Sequence, residues 1–416
     1  MAGTVNPAPD GRSSGPLPLD GVRVLDLSRF LAGPYAAMTL GDMGADVIKV
    51  ERCGSGDDSR RMGPHVAGES YPFAMNNRNK RGIALDLTTR RGHEVFLRLV
   101  ATADVLIENF RPGVTEGLGI DHASLSAVRP RLIHCSVSGF GQTGPDRERA
   151  GLDIIAQGAS GLMSMTGHPG EPPVKMGIAA NDIAAGSLAV QAVLAAHIHR
   201  LRTGEGQHID ISLVDAGLSW TIWEAGAYFG SGEVASAQGS RHRRSAPYQA
   251  FRTQDGHVTV GANTDRLWER LVTSVLGRPD WLDDPRYAEN ASRLRNVDVL
   301  ETEIEEITTT RPTADWVALL DEAGVPGGPV YTYDQALATP QARAREMVVE
   351  VDHPIVGPMR HLGVAPKMSG TPLRIDRAAP WLGQHTTEVL GELGLTEGEI
   401  EELFTDGLVD DSHRRR

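Results

Sequence analysis

Between Val22 and Val137 short apolar runs alternate with helix-period stretches, and few folds accommodate that order. The runs are Val22-Arg23-Val24-Leu25-Asp26-Leu27, then 46–51, 83–87, 104–108 and 131–137. Pro34 suits the first turn of a helix ending near Met43, with Gly44 closing it, and a second helical stretch covers 90–101. The alternation predicts an α/β fold, a mainly parallel sheet with helices on both faces. Such sheets bind ligands at the carboxyl ends of their strands. Arg52, Asn109, Phe110 and Arg111 stand at those ends, and Lys80 and Arg81 precede the third strand. The turn after the first strand, Ser28 to Pro34, carries no GxGxxG or GxxxxGK[ST] pattern, which argues against a dinucleotide or ATP.

Residues 151–217 hold the most pointed chemistry. Asp182 stands where a long apolar helix begins, and from Ile183 to Leu194 the strongly polar residue is Gln191. That predicts a helix buried on most sides, ending at Thr203-Gly204, with a strand at 207–213. A carboxylate in the first turn faces unpaired N–H groups and the positive end of the helix dipole, so its ionised form is favoured. An ionised carboxylate beside apolar packing suits a nucleophile, and the same residue suits an ordinary N-cap. The residues alone leave both readings open. The small residues Gly158 to Gly161 would let backbone N–H groups approach a developing oxyanion. His197 and His199, two apart on one helix, point to different faces, and no metal site is expected.

A length of 416 residues suggests two domains. Residues 19–230, completed by about 365–410, read as the large domain. Residues 246–340 read as a smaller α+β domain opened by a hairpin at 248–252 and 257–261. Residues 231–245 and 341–364 read as linkers, and 1–18, rich in Gly, Pro and Ser, as a disordered tail unlike a signal peptide. A net charge of −13 argues against nucleic acid. No apolar run is long enough to span a membrane, and Cys53 and Cys135 lack a metal or redox spacing. A cytoplasmic protein is expected.

In order along the chain, several stretches resemble the class III CoA-transferases, the CaiB/BaiF family, which includes formyl-CoA:oxalate, carnitine and bile-acid CoA-transferases. They are Leu19 to Asp26, Gly44 to Glu51, Asn79-Lys80-Arg81, Glu108 to Gly113, Gly139 to Pro145, Arg202 to Gln207 and Leu382 to Thr386. The resemblance implies a Rossmann-like large domain plus a smaller α+β domain, and an interlocked, ring-like homodimer. It implies an acyl-CoA:carboxylate CoA-transferase with Asp182 as covalent nucleophile, acyl-CoA and a small carboxylic acid as substrates, and no permanent cofactor. CoA contacts carry over to Ala32, Arg52, Leu85, Asn109 and Phe110. Three positions depart from the family: Leu31 for Gln, Asn181 for Gly, and Gly239 to Ser245 for a glycine-rich loop. The basic run Arg241-His242-Arg243-Arg244 is expected to meet the second carboxylate of a dicarboxylic acid. Racemase relatives pair a His with an Asp where Leu152-Asp153 stands here, and leucine carries no proton, so transfer is expected over racemisation. A noncatalytic CoA-binding module is the remaining alternative.

Overall fold

The structure is a computed structural model and describes residues 15–413. It forms two compact units. The first holds the described residues of 1–162, 176–226 and 343–416, and the second holds 163–175 and 227–342.

In the first unit a seven-stranded sheet runs in the spatial order Val409–Asp410, Lys80–Leu85, Asp46–Glu51, Arg23–Asp26, Val105–Glu108, Ile133–Ser138, Gln207–Ser212. All neighbours pair in parallel except Val409–Asp410, which lies antiparallel on Lys80–Leu85. The chain starts in the middle, winds outward to one side, then returns to wind outward on the other. The reversal lies beside Arg23–Asp26, where α/β sheets open a crevice. Both faces are covered, which explains the nearly continuous apolar strands. One face packs Val24, Val47, Ile107 and Cys135 against the helices Ala32–Asp42 and Ala180–Thr203. The other packs Leu25, Ile48, Ile83 and Leu106 against Arg90–Thr102 and Thr386–Glu392.

The third strand begins at Lys80, three residues before the expected run at 83–87. Its charged start is buried: Lys80 Nζ donates to Asp26 Oδ2 at 2.8 Å, to Asn77 Oδ1 at 2.8 Å and to the Pro34 carbonyl at 2.9 Å. Arg81 pairs with Asp46, Glu388 and Glu392. Both cations are held by carboxylates of the fold, in contrast to their grouping with the strand-end residues. The stretch 341–364, expected as a linker with a strand at 347–351, carries a hairpin of Val348–His353 and Gly357–Leu362. It joins the first unit through Met359, which packs with Phe73 and Ala379. Residues 1–14 of the expected tail lie outside the described residues, and Leu17 is buried.

The second unit has a three-stranded antiparallel sheet in the order Gly327–Pro329, His257–Gly261, Tyr248–Arg252. Its core centres on Trp268 and Trp281, stacked 6.2 Å apart, with Phe251, Leu300 and Leu320. Arg241 to Arg244 belong here. Arg241 is bound by Asp298 and Glu301, and Arg244 by Glu233, so the run is not a set of free cations awaiting a substrate. Among the described residues no helix is long and apolar enough to cross a membrane.

Candidate active site

The carboxyl ends of the central strands enclose a cavity of about 400 Å³, lined by Ser28, Arg29, Arg52, Leu85, Phe110 and others. Its rim is held from beneath. Asn109 Oδ1 accepts the N–H of Arg29 at 2.8 Å, and Asn109 Nδ2 donates to the Arg29 carbonyl at 2.7 Å. Asp57 accepts the N–H of Phe30 at 3.1 Å, and Lys49 Nζ donates to the Ser28 carbonyl at 2.8 Å. With both groups of Arg29 bonded, the loop is held with Phe30 at a left-handed φ of 65°. Three expected CoA contacts, Arg52, Leu85 and Phe110, line the cavity; Asn109 instead clamps the loop that forms its wall. Ala32 begins the helix leaving that loop, and no side chain caps that helix. Arg52 is 56% exposed and reaches Asp58 at 3.0 Å, an arrangement an anionic ligand can displace.

Asp182 lies in the first turn of Ala180–Thr203, as expected, but it is not the cap. Asp153 does that work from 29 residues away. Its Oδ1 accepts the N–H of Asn181 at 2.9 Å and that of Asp182 at 3.3 Å. The Asp182 carboxylate therefore has no capping duty. Its protonation also differs from the expectation. The helix end should favour the anion, yet burial, and then the Asp153 charge, push the Asp182 pKa up to about 7. The helix is less buried than expected, since Ile198 and Leu201 near its far end are 50% and 69% exposed.

Gly186 connects the two halves of the site. It sits four residues after Asp182 on the same helical face, about 6 Å along the axis. A Cβ there would lie 2.6 Å from the Ala32 carbonyl oxygen and 2.9 Å from the Tyr35 ring, so the two helices touch backbone to backbone. Ala32 does not itself line the cavity; this contact brings the start of its helix, three residues beyond the lining residue Arg29, alongside the turn carrying Asp182.

Asn181, one of the positions expected to depart from the family pattern, is fully buried. Its Nδ2 donates to the Leu213 carbonyl at 2.9 Å and to Ser160 Oγ at 3.3 Å. Gly217 leaves room for this, since a Cβ there would meet the Asn181 amide at 2.3 Å. The stretch Gly158 to Gly161 does not offer an oxyanion hole. It ends the helix Asp153–Ala159, and the N–H groups of Ser160 and Gly161 donate to the carbonyls of Ala156 and Gly158. Sequence reasoning missed Asp153 as a cap and passed over Gln157. An Asp and a Gln four apart before a helix was the available signal.

Comparison with known proteins identifies the family. Residues 19–386 match CoA-transferase family III. The chain is 38% identical to human succinyl-CoA:glutarate CoA-transferase over 395 residues, covering 94% of this chain and 90% of the relative. It is 40% identical to succinate–glutarate CoA-transferase of Agrobacterium fabrum over 395 residues, covering 91% and 96%. A crystal structure of a CaiB/BaiF family protein from Brucella suis superposes with a TM-score of 0.82 at 40% identity, covering 91% of this chain and all of that one. The chain belongs to CoA-transferase family III and is an enzyme of the CoA-transferase type.

Proposed function

We propose that the enzyme moves CoA between short dicarboxylic acids through covalent intermediates on Asp182. The observation that carries this is a partly buried carboxylate in a first helical turn, relieved of capping by Asp153 and one turn from the Gly186 contact with Ala32, which follows the loop that lines the cavity. The relatives named for succinyl-CoA and glutarate support the choice of acids.

The ionised Asp182 attacks the thioester carbonyl carbon. The C–S bond breaks, CoA leaves as thiolate, and a mixed anhydride remains. The thiolate attacks the Asp182 carbonyl of that anhydride, the first acid leaves as carboxylate, and Asp182 becomes a CoA thioester. The incoming carboxylate attacks this thioester and releases the thiolate, giving a second anhydride. The thiolate then attacks the acceptor's acyl carbon and frees Asp182. Overall one thioester and one carboxylate are exchanged for another such pair, so the net reaction is near balance, and what the protein must supply is position, support for the higher-energy anhydrides and exclusion of water. CoA is read into the cavity between Arg52, Leu85 and Phe110, with its thioester directed to Asp182.

Incubation with succinyl-CoA, followed by digestion and mass spectrometry, tests the assignment. A succinyl or CoA adduct on the peptide containing Asp182 is expected, and an adduct elsewhere would remove it. Arg52→Ala is expected to raise the KM for acyl-CoA roughly tenfold at low salt, with little change for the acceptor acid. An unchanged KM would make Arg52 a surface residue only.

The homodimer belongs to the same reading. Ile222 and Trp223 are 74% and 82% exposed on adjacent positions, and Leu201 joins them as an apolar side chain left to solvent in a single chain. Light scattering at micromolar concentration should give twice the chain mass, and a single-chain mass would contradict the dimer.

A further inference from the structure

Gln157 has no room to move and no bond to spare. It is fully buried in the helix Asp153–Ala159. Its Nε2 donates to Asp153 Oδ2 at 2.6 Å and to the Ile178 carbonyl at 3.2 Å, and its Oε1 accepts the N–H of Met176 at 2.8 Å. One amide thus ties a carboxylate to both ends of the Met176–Ile178 segment, which leads straight into the helix bearing Asp182. The other oxygen of that carboxylate caps the same helix.

We propose that Gln157 is a positioning residue for CoA transfer, holding Asp153 and the Met176–Ile178 backbone so that Asp182 is presented to the thioester. The inference rests on Asp182 being the nucleophile. Gln157 touches no reacting atom and lies apart from the residues lining the CoA cavity. Without its amide, Asp153 Oδ2 and the Met176 N–H lose buried partners, and the cap of the Asp182 helix loosens with them. Attack geometry tolerates little error, since displacement of about 1 Å costs on the order of 100-fold in rate. Binding of the CoA moiety should scarcely change. The asymmetry between rate and binding separates positioning from general damage, which would lower both.

The test compares wild type, Gln157→Leu and Gln157→Glu with succinyl-CoA as donor and glutarate as acceptor. Leucine removes all three bonds, whereas glutamate keeps an acceptor for the Met176 N–H but sets a carboxyl group against Asp153. Both variants are expected to lose 10- to 100-fold in kcat with the KM for succinyl-CoA within twofold of wild type. Adduct formation on Asp182 should still occur but slow by the same factor in a single turnover. If Gln157→Leu does not fold, Gln157→Glu decides alone. Wild-type kcat in a folded variant, or a KM rising in step with the loss of kcat, would overturn the inference. A wild-type adduct on a residue other than Asp182 would instead sink the nucleophile reading, so the two failures are distinguishable.

Discussion

Asp182→Asn will lose transfer activity by about 10⁴- to 10⁶-fold, the range observed when a member of a catalytic nucleophile constellation is removed. The amide cannot attack a thioester, and its size and shape leave the first helical turn in place. Capping survives because Asp153 supplies it. The same substitution should raise stability in alkaline solution. Burial and Asp153 hold the Asp182 pKa near 7, above the roughly 3.9 of an unfolded aspartate. The folded state therefore binds that proton more tightly, and stability is lost as pH rises through the window between those values. Asparagine carries no such proton. The variant's Tm should exceed that of wild type at pH 8 and converge with it near pH 4. In the wild type, kcat/KM should fall as pH drops below about 7, because the proposed mechanism needs the anion. An acid limb near pH 4, or a variant less stable than wild type at pH 8, would show that the site does not hold Asp182 as described.

Lys80→Ala will cost about 3–5 kcal/mol of stability, the usual loss when one partner of a buried ion pair is removed. Lys80, Lys49, Asp26 and Asp57 form a charged cluster, and Lys80, Lys49 and Asp26 are fully buried in the centre of the sheet. Burial pulls the Lys80 ammonium down to about 8, with Asp26 opposing that shift. Without Lys80, Asp26 keeps Lys49 at 3.7 Å, and the Asn77 oxygen and Pro34 carbonyl lose a donor. Thermal unfolding should drop by roughly 5–10 °C. A change below about 1 kcal/mol, the scale of a surface pair, would mean water reaches the cluster. Activity should fall at the same time, because Lys49 in this cluster also holds the Ser28 carbonyl at the cavity wall.

The central strands were legible because burial on both faces forces nearly continuous apolar runs, as at Asp46–Glu51 and Val105–Glu108. Lys80 and Arg81 hid the start of their strand, since nothing local reveals that a buried charge has found a partner 54 residues away. The place of Asp182 in the first turn of its helix was legible, and its charge state was not. Its helix end predicts a stable anion, and what opposes this is burial, together with the Asp153 carboxylate from another helix. Arg241 misled in the opposite sense: a basic run in sequence became two ion pairs within its own unit. Motifs carry residue types faithfully, whereas charge states depend on partners that only the folded chain assembles.

The strand Val409–Asp410 lies against Lys80–Leu85 and covers what would otherwise be the open edge of the sheet. Its partner leaves the ribosome about 320 residues earlier. At about 5–20 residues per second, that edge waits roughly 15–65 s for its cover during synthesis. An uncovered edge offers unpaired N–H and C=O groups to any extended chain nearby. A chain stopped short of residue 409 would keep Asp182 and Asp153, and would carry a permanent site for edge-to-edge aggregation. Val409 and Asp410 thus guard the nascent protein's solubility, and, paired with Leu85 and bonded to the Gly54 N–H, they also back one side of the cavity.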